Sequence, residues 1–315
     1  MVHSHPAQAP QWLLSEGASV IGTGFMGAAY AARLSKLGVP VTIFNRTASK
    51  AAEVARAHAG IHVAATLADC ARASKTVLVA CSPTPQAIGS VCEQLMGVAR
   101  DRHVTFIVDA GLPEARRMEG LFDDAGAASV TNVALFGSAY AVMDGAGAIV
   151  NASGRAPSAD VVGERVLPLL SLFGAATYHA GGAASAAHFA MAGHAAYMPV
   201  AYGLMHYVAL MSRSGIGSEV ALQYFQATVK AVADVYAPML APTFEKGDYA
   251  TFFFSHETAK DIHDRLVETC NGLGIDDRLA RLMARYHEQA LQQPEVATKS
   301  FQSVYDVIRQ PAKRA

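Results

Sequence analysis

Short apolar runs alternate with amphipathic segments through the first half of the chain, and amphipathic segments alone fill the second. Ala18–Ile21, Val41–Phe44, Thr76–Ala80 and Thr105–Asp109 read as strands, each followed by a helix-like or turn segment. That alternation predicts a parallel, doubly wound sheet. After Ser129 the pattern changes. Ser129–Leu135 and Gly145–Asn151 read as strands with no helix between them, and a helix follows from about Ser158 to Leu172. These runs are expected to extend the same sheet along one edge. Gly181-Gly182 then punctuates the chain before a long helix that starts near Ala184. From Glu219 onward only helical spacing remains, around Leu222–Val235, His256–Gly272 and Asp276–Gln292. The expected boundaries are a flexible arm at 1–16, an α/β domain at 17–180, an interdomain helix at 181–213 and an all-α domain at 214–315.

The interdomain segment carries no Asp, Glu, Lys or Arg between Arg165 and Arg213. Length alone would allow a membrane span. His188, His194 and His206 interrupt it, Pro199 sits inside it, and no aromatic or lysine belt flanks both ends. A helix covered on all sides by domains or subunits is the better expectation. A 315-residue chain with 52% hydrophobic residues can bury the cores of two domains. Its formal net charge of −1 offers no basic patch for nucleic acid. Cys70, Cys81, Cys92 and Cys270 are scattered without paired spacing, which suits a reducing, cytoplasmic compartment. Met1–Pro10 lacks the apolar core of a signal peptide. Without a His-Glu-x-x-His motif, a carboxylate cluster or a nucleophile elbow, metal and acyl-transfer chemistry have no support, and no metal is expected.

The chemistry concentrates after the first strand. Val20-Ile-Gly22-Thr23-Gly24-Phe25-Met26-Gly27 joins that strand to a helix. Gly22 permits the tight turn, Gly24 lets a pyrophosphate approach the backbone, and Gly27 lets helix and strand pack closely. The pyrophosphate sits on unpaired amides at the helix N-terminus. At the end of the second strand an NAD site wants a carboxylate for the ribose hydroxyls, but this chain has Asn45, Arg46 and Thr47, with Lys50 nearby. A guanidinium with neutral neighbours suits a 2′-phosphate, so the expected cofactor is NADP(H). Ser82-Pro83 follows the next strand of the unit at the sheet edge where ligands collect.

With these pieces placed, the chain resembles the 3-hydroxyacid dehydrogenase superfamily of 6-phosphogluconate dehydrogenase-like proteins, and within it the NADPH-dependent imine reductases. The resemblance rests on Gly22-Thr-Gly-Phe-Met-Gly27, on Gly38-Val-Pro-Val-Thr-Ile-Phe-Asn-Arg-Thr47, on Lys260-Asp261 and on Phe301-Gln-Ser-Val-Tyr-Asp-Val-Ile-Arg309. It implies an α/β Rossmann domain, a long interdomain helix and an all-α C-terminal domain that interlocks with a second copy in a homodimer. It also implies an active site between one subunit's nucleotide domain and the other's helices, with Lys260 approaching the nicotinamide end.

The departures from the family bear on the reaction. Where hydroxyacid dehydrogenases carry a Ser-Gly-Gly that grips a carboxylate, the chain reads Asn132-Val-Ala-Leu-Phe136-Gly137-Ser138, so a carboxylate loses a donor and meets an aromatic wall. The family's catalytic lysine, early on the interdomain helix, is missing. Counting forward from Gly181-Gly182 puts His188 in its place. Counting back from Gly203-Leu-Met-His206 puts Ala190 there and His194 at the family's asparagine place, with Tyr197 one turn later on the same face. His188 and His194 lie about 240° apart around a helix and cannot share one pocket. His194, His188 and Tyr197 are therefore alternative proton donors, and Tyr140 and Phe136 are candidate substrate contacts, with core or interface packing the alternative for each. The expected function is NADPH-dependent hydride transfer to a C=N bond of a small, largely apolar substrate. The alternatives are an NADP-dependent hydroxyacid or keto-acid dehydrogenase with an altered catalytic residue, and an NADP-binding protein without catalysis.

Overall fold

The computed structural model describes residues 8–82, 84–108, 112–145, 148–155, 158–247, 249 and 254–309. They form two compact units, Met1–Ala196 and Tyr197–Ala315.

The first unit is built on an eight-stranded sheet. The strands are β1 (Ala18–Ile21), β2 (Val41–Phe44), β3 (Ile61–Val63), β4 (Thr76–Val79), β5 (His103–Phe106), β6 (Ser129–Phe136), β7 (Ile149–Arg155) and β8 (Ala175–His179). Their order is β3-β2-β1-β4-β5-β6-β7-β8. Every neighbouring pair is parallel except β6 and β7, which run antiparallel. The helices are α1 (Gln11–Glu16), α2 (Phe25–Lys36), α3 (Ala48–Ala57), α4 (Leu67–Arg72), α5 (Pro85–Met96), α6 (Leu112–Asp124) and α7 (Ala139–Asp144). A further helical run, α8 (Ala159–Val161), a π turn and α9 (Leu167–Leu170), precedes β8.

Alternation along the strands splits the core into two layers. Val20 and Leu78 face one layer with Tyr30, Leu34 and Phe173. Ile21, Val77 and Val79 face the other with Phe106 and Phe122. Strands covered on both faces read as continuous apolar runs, which is why they stand out in the sequence.

Four details differ from the sequence expectation. β3 and β8 were not visible, because Ile-His-Val offers one buried side chain and Ala-Ala-Thr-Tyr-His has little β-branched character. The short helix α7 lies between β6 and β7, where no helix was expected, and β7 starts at Ile149 rather than Gly145. The fifth strand is His103–Phe106, and Asp109 lies outside the described residues. Gln11–Glu16, expected in a loose arm, form α1. Leu13 is fully buried, and Arg165 grips Glu16 through two hydrogen bonds of 2.7 and 3.0 Å while its guanidinium stacks over Trp12.

The long helix α10 (Ala183–Arg213) begins in this unit. Its first amides would be orphaned at a buried helix end. Glu119 on α6 accepts from the Ala183 amide at 3.1 Å, Ser153 on β7 accepts from the Ala186 amide at 2.6 Å, and Asn132 on β6 donates to the Ala183 carbonyl at 3.2 Å. Ala183, Ala186, Ala187 and Ala190 then form a buried stripe at helical spacing.

The second unit is helical among its described residues: the rest of α10, α11 (Ser218–Ala231) running through a π turn into α12 (Ala237–Lys246), α13 (His256–Leu273), α14 (Arg278–Leu291), α15 (Pro294–Ala297) and, after a 3-10 turn, α16 (Val304–Arg309). Its interior holds a polar chain. The Ser303 hydroxyl donates to the Ser300 carbonyl at 2.9 Å and so accepts from His256 Nε2 at 2.9 Å. His256 Nδ1 must then accept from His287 Nδ1 at 3.0 Å, which fixes both neutral tautomers. Phe301, in the closing motif, stacks on Phe254 at 4.2 Å. That motif is a structural clasp for the helix pair. Among the described residues no helix is long and apolar enough to cross a membrane.

Candidate cofactor and catalytic site

A cavity of about 320 Å³ opens at the carboxyl ends of β1, β2 and β4. Of the residues expected at the cofactor, Gly22, Gly24, Asn45, Arg46, Thr47, Lys50 and Ser82 line it, together with Leu67, Cys81, Ser90, Val91 and Gln94. Pro83 lies outside the described residues.

The glycines hold their places for separate reasons. Gly22 has φ 94° and its amide donates to Phe44 at 2.8 Å; a Cβ there would collide with the Ala80 carbonyl oxygen. A Cβ on Gly27 would collide with the Gly22 carbonyl oxygen. A Cβ on Gly24 would meet nothing within 4 Å, so the backbone there is open to a ligand. Gly24 is also the N-cap of α2 and provides no side-chain cap, and the Ala28 amide is the first to bond back, to the Gly24 carbonyl. The amides of Phe25, Met26 and Gly27 thus lack intrahelical acceptors and suit a pyrophosphate.

The side chains around the turn divide between scaffold and surface. Thr23 is buried under the turn; its amide donates to Asn45 Oδ1 at 3.0 Å, while its hydroxyl oxygen is buried with no hydrogen-bond partner. Asn45 Nδ2 donates to the Thr47 carbonyl at 3.1 Å. Asn45 therefore staples the glycine turn to the end of β2 and sets the direction in which Arg46 and Thr47 leave the strand. Met26 packs on the core. Phe25 and Tyr140 are each 69% exposed, and their rings meet edge to face at 6.1 Å. Arg46, Thr47 and Lys50 are exposed on the lip. The open glycine, the uncapped helix, the unpartnered threonine oxygen and a cationic lip without a carboxylate fit a phosphorylated dinucleotide.

Along the same sheet edge, Phe136 ends β6 and its ring packs on α10. The His194 imidazole lies edge to face with it at 6.1 Å. His194 is half-buried and follows Ala190, which is 2% exposed, by one turn on the buried stripe. His188, two residues before Ala190, is exposed on a different face. Its neighbour Phe189 stacks on His179 at 4.3 Å. The structure thus brings His194 and Phe136 together and leaves His188 away from both. Tyr197 is 65% exposed and opens the second unit.

Lys260 also belongs to the second unit, where it donates to Asp264 one turn along α13 at 2.6 Å. That hydrogen bond raises its pKa. Its assignment to the cofactor rests on the resemblance alone.

Sequence reasoning passed over two groups. Glu119, Asn132 and Ser153 fix the start of α10, a function set by tertiary contact with no local motif. Ser90 and Gln94 on α5 form a wall of the cavity, and the one available signal was their position on the helix after β4. Among the described residues no cluster of His, Cys, Asp and Glu could hold a metal ion.

Comparison with known proteins accounts for both units. Residues 18–150 match the family described as the NAD binding domain of 6-phosphogluconate dehydrogenase. Residues 182–310 match the NADPH-dependent reductive aminase-like C-terminal domain. No curated protein sequence matches the chain. Among solved structures, the imine reductase of Streptomyces aurantiacus is similar at a TM-score of 0.83 and 21% identity, covering 94% of this chain and 100% of that one. The reductive aminase of Aspergillus terreus, in complex with NADPH and ethyl levulinate, gives 0.82 and 21% over 93% and 99%. The imine reductase of Myxococcus stipitatus, in complex with NADP+, gives 0.81 and 18% over 93% and 100%. Likeness at these identities establishes the shared fold.

Proposed function

The chain belongs to the NAD(P)-dependent oxidoreductases that join a 6-phosphogluconate dehydrogenase-type NAD binding domain to a reductive aminase-like C-terminal domain, and from that premise we propose that it reduces C=N bonds with NADPH. The observation that carries the choice of bond is the buried stripe of α10. On the count back from Gly203-Leu-Met-His206, Ala190, 2% exposed, takes the place of the family's lysine and His194 follows one turn later, with its imidazole edge to face with the Phe136 ring. A carbonyl needs a strong acid as hydride arrives, whereas an iminium carbon is already activated. A site that has given up its lysine suits the second.

NADPH supplies the hydride when bound. Arg46, Thr47 and Lys50 bind the 2′-phosphate, and the amides at the start of α2 bind the pyrophosphate. Phe136, packed on α10, keeps the end of β6 apolar beside His194, favouring a small substrate without a carboxylate next to the reacting carbon. Where the substrate is a neutral imine, His194 gives or orients the proton that its nitrogen takes up as hydride reaches the carbon, with Tyr197 and His188 as the other donors to be tested; a preformed iminium becomes the neutral amine on hydride transfer alone. Tyr140, with Phe25, offers an aromatic contact at the outer side of the turn. The solved complexes of similar proteins with NADPH and NADP+ support the cofactor.

The working form is a homodimer. Within one chain Tyr197, Met198, Val200, Tyr202 and Met205 are 65, 40, 48, 51 and 64% exposed on an uncharged helix. A second copy with the same self-complementary face is the natural cover for such a patch. Size in solution without detergent tests this, and a stable monomer overturns it.

Following NADPH absorbance with a panel of cyclic imines and small keto acids tests the reaction. Turnover of imines alone supports the proposal. Turnover of keto acids alone moves the enzyme to the hydroxyacid dehydrogenases with histidine in place of lysine. Tight NADPH binding with no turnover makes the nucleotide a ligand.

A further inference from the structure

The contact between Phe136 and α10 depends on a residue that carries no side chain. A Cβ on Gly193 would collide with Cζ and Cε1 of Phe136 and come within 2.7 Å of Cε2. Gly193 sits inside α10 with ordinary helical backbone, so nothing in its own conformation demands glycine. Alanine would be the better helix former there. The glycine is explained by the ring that fills its notch. The same ring meets the next residue, His194, edge to face.

We propose that Gly193 is a positioning residue for the reaction: the notch it leaves in α10 seats the Phe136 ring, and the seated ring sets the direction of the His194 imidazole. The inference rests on the reading of His194 as the proton donor. It goes further by naming the pair that decides where that imidazole points and what shape of substrate reaches it. A ring seated in the notch keeps the end of β6 apolar and leaves His194 as the polar group beside it. A ring pushed out of the notch moves into the substrate's space and takes its edge-to-face contact away from the imidazole.

The experiment compares Gly193→Ala, Phe136→Leu and the double variant with the wild type. Gly193→Ala is expected to lower Tm despite its better helix propensity. It is also expected to shift the His194 Cε1–H resonance, identified by its loss in His194→Asn. With an imine, kcat should fall by about tenfold or more, because a small misplacement of a catalytic group is costly. NADPH affinity should stay at the wild-type value. In the Phe136→Leu background the sign reverses: adding Gly193→Ala raises Tm and leaves the resonance in place.

A Gly193→Ala variant with raised Tm and an unmoved His194 resonance overturns the proposal. If Gly193→Ala does not fold, folding of the double variant carries the same information, and failure of both overturns the notch. Tm and the resonance need no substrate. A wild type that turns over no imine therefore sinks the proposed reaction while the notch is still tested.

Discussion

The glycine turn after β1 and the Phe136–His194 corner stand at the same edge of one mostly parallel sheet, yet the sequence encodes them in opposite ways. The turn is local. Ala18 to Phe44 form one strand-turn-helix-strand unit; Gly22 and Gly27 each answer a backbone neighbour in the turn or just after adjacent β4, and Gly24 leaves the backbone open. The corner is assembled from residues nearly sixty positions apart. A ring from β6 enters a notch in α10, and α10 is held by Glu119 on α6, Asn132 on β6 itself and Ser153 on β7. Binding machinery for an invariant cofactor can be a compact local motif. Machinery for a particular substrate is distributed, so it can vary without disturbing the fold.

The sharpest way to test that division is at its catalytic end. His194→Asn is expected to lower imine turnover by about 10²–10⁴-fold, the usual loss for a positioned general acid, while NADPH affinity stays unchanged. His188→Asn and Tyr197→Phe, measured alongside, should turn over near the wild-type rate. If His194→Asn is as fast as wild type, the donor passes to whichever variant fails. If none fails, the proton comes from water or from a preformed iminium.

The cofactor end responds next. Arg46→Ala is expected to cost about 1.5–3 kcal/mol of NADPH binding, roughly tenfold or more in Kd, as for a lost charge-assisted contact. NADH binding should hardly change. Equal affinity of the wild type for the two cofactors would break the comparison, because the lip of β2 would then carry no specificity.

These two ends also mark what was legible. The doubly wound sheet, the lip residues and the long helix could be read because buried parallel strands are apolar runs and the turn is a local motif. β3 and β8 were hidden by their short, weakly apolar sequences, and α7 by a helix of only six residues. The role of Asn45 as a staple was invisible because its two hydrogen bonds exist only once the turn and β2 are aligned. In the sequence Gly193 is one small residue among many alanines. Only the ring opposite it gives it a meaning.

A smaller effect comes from the helical unit, far from any local motif. Burial and the neighbouring His256 and His263 push the His287 imidazole down to about 4, and burial lowers His256 as well, against a weak opposing pull from Glu257. A histidine whose pKa is lower when folded than when unfolded favours the folded state while neutral. Its contribution is complete above the unfolded value of about 6.5 and is lost as pH falls toward 4. Tm should therefore fall over that window. His287→Phe should flatten the slope between pH 6.5 and 4, since a phenyl ring adds no proton-linked penalty. An unchanged slope would show that other groups set the acid limit.

The smallest expected effect is at Lys260, where the two ways of reading a residue disagree most. By resemblance it approaches the nicotinamide end. By contact it is an ion pair with Asp264 one turn along its own helix. The lysine precedes the acid, the less favourable order along a helix, so the pair adds little to stability. Lys260→Ala should leave Tm almost unchanged. Its effect on the NADPH Kd should be no more than about threefold, the scale of a solvent-exposed, salt-screened contact, and should shrink as salt is added. A loss equal to that of Arg46→Ala would mean that Lys260 leaves Asp264 when the dinucleotide binds. Cofactor recognition would then extend from the local turn into the helical unit, and the division between a local binding motif and a distributed catalytic corner would have to be redrawn.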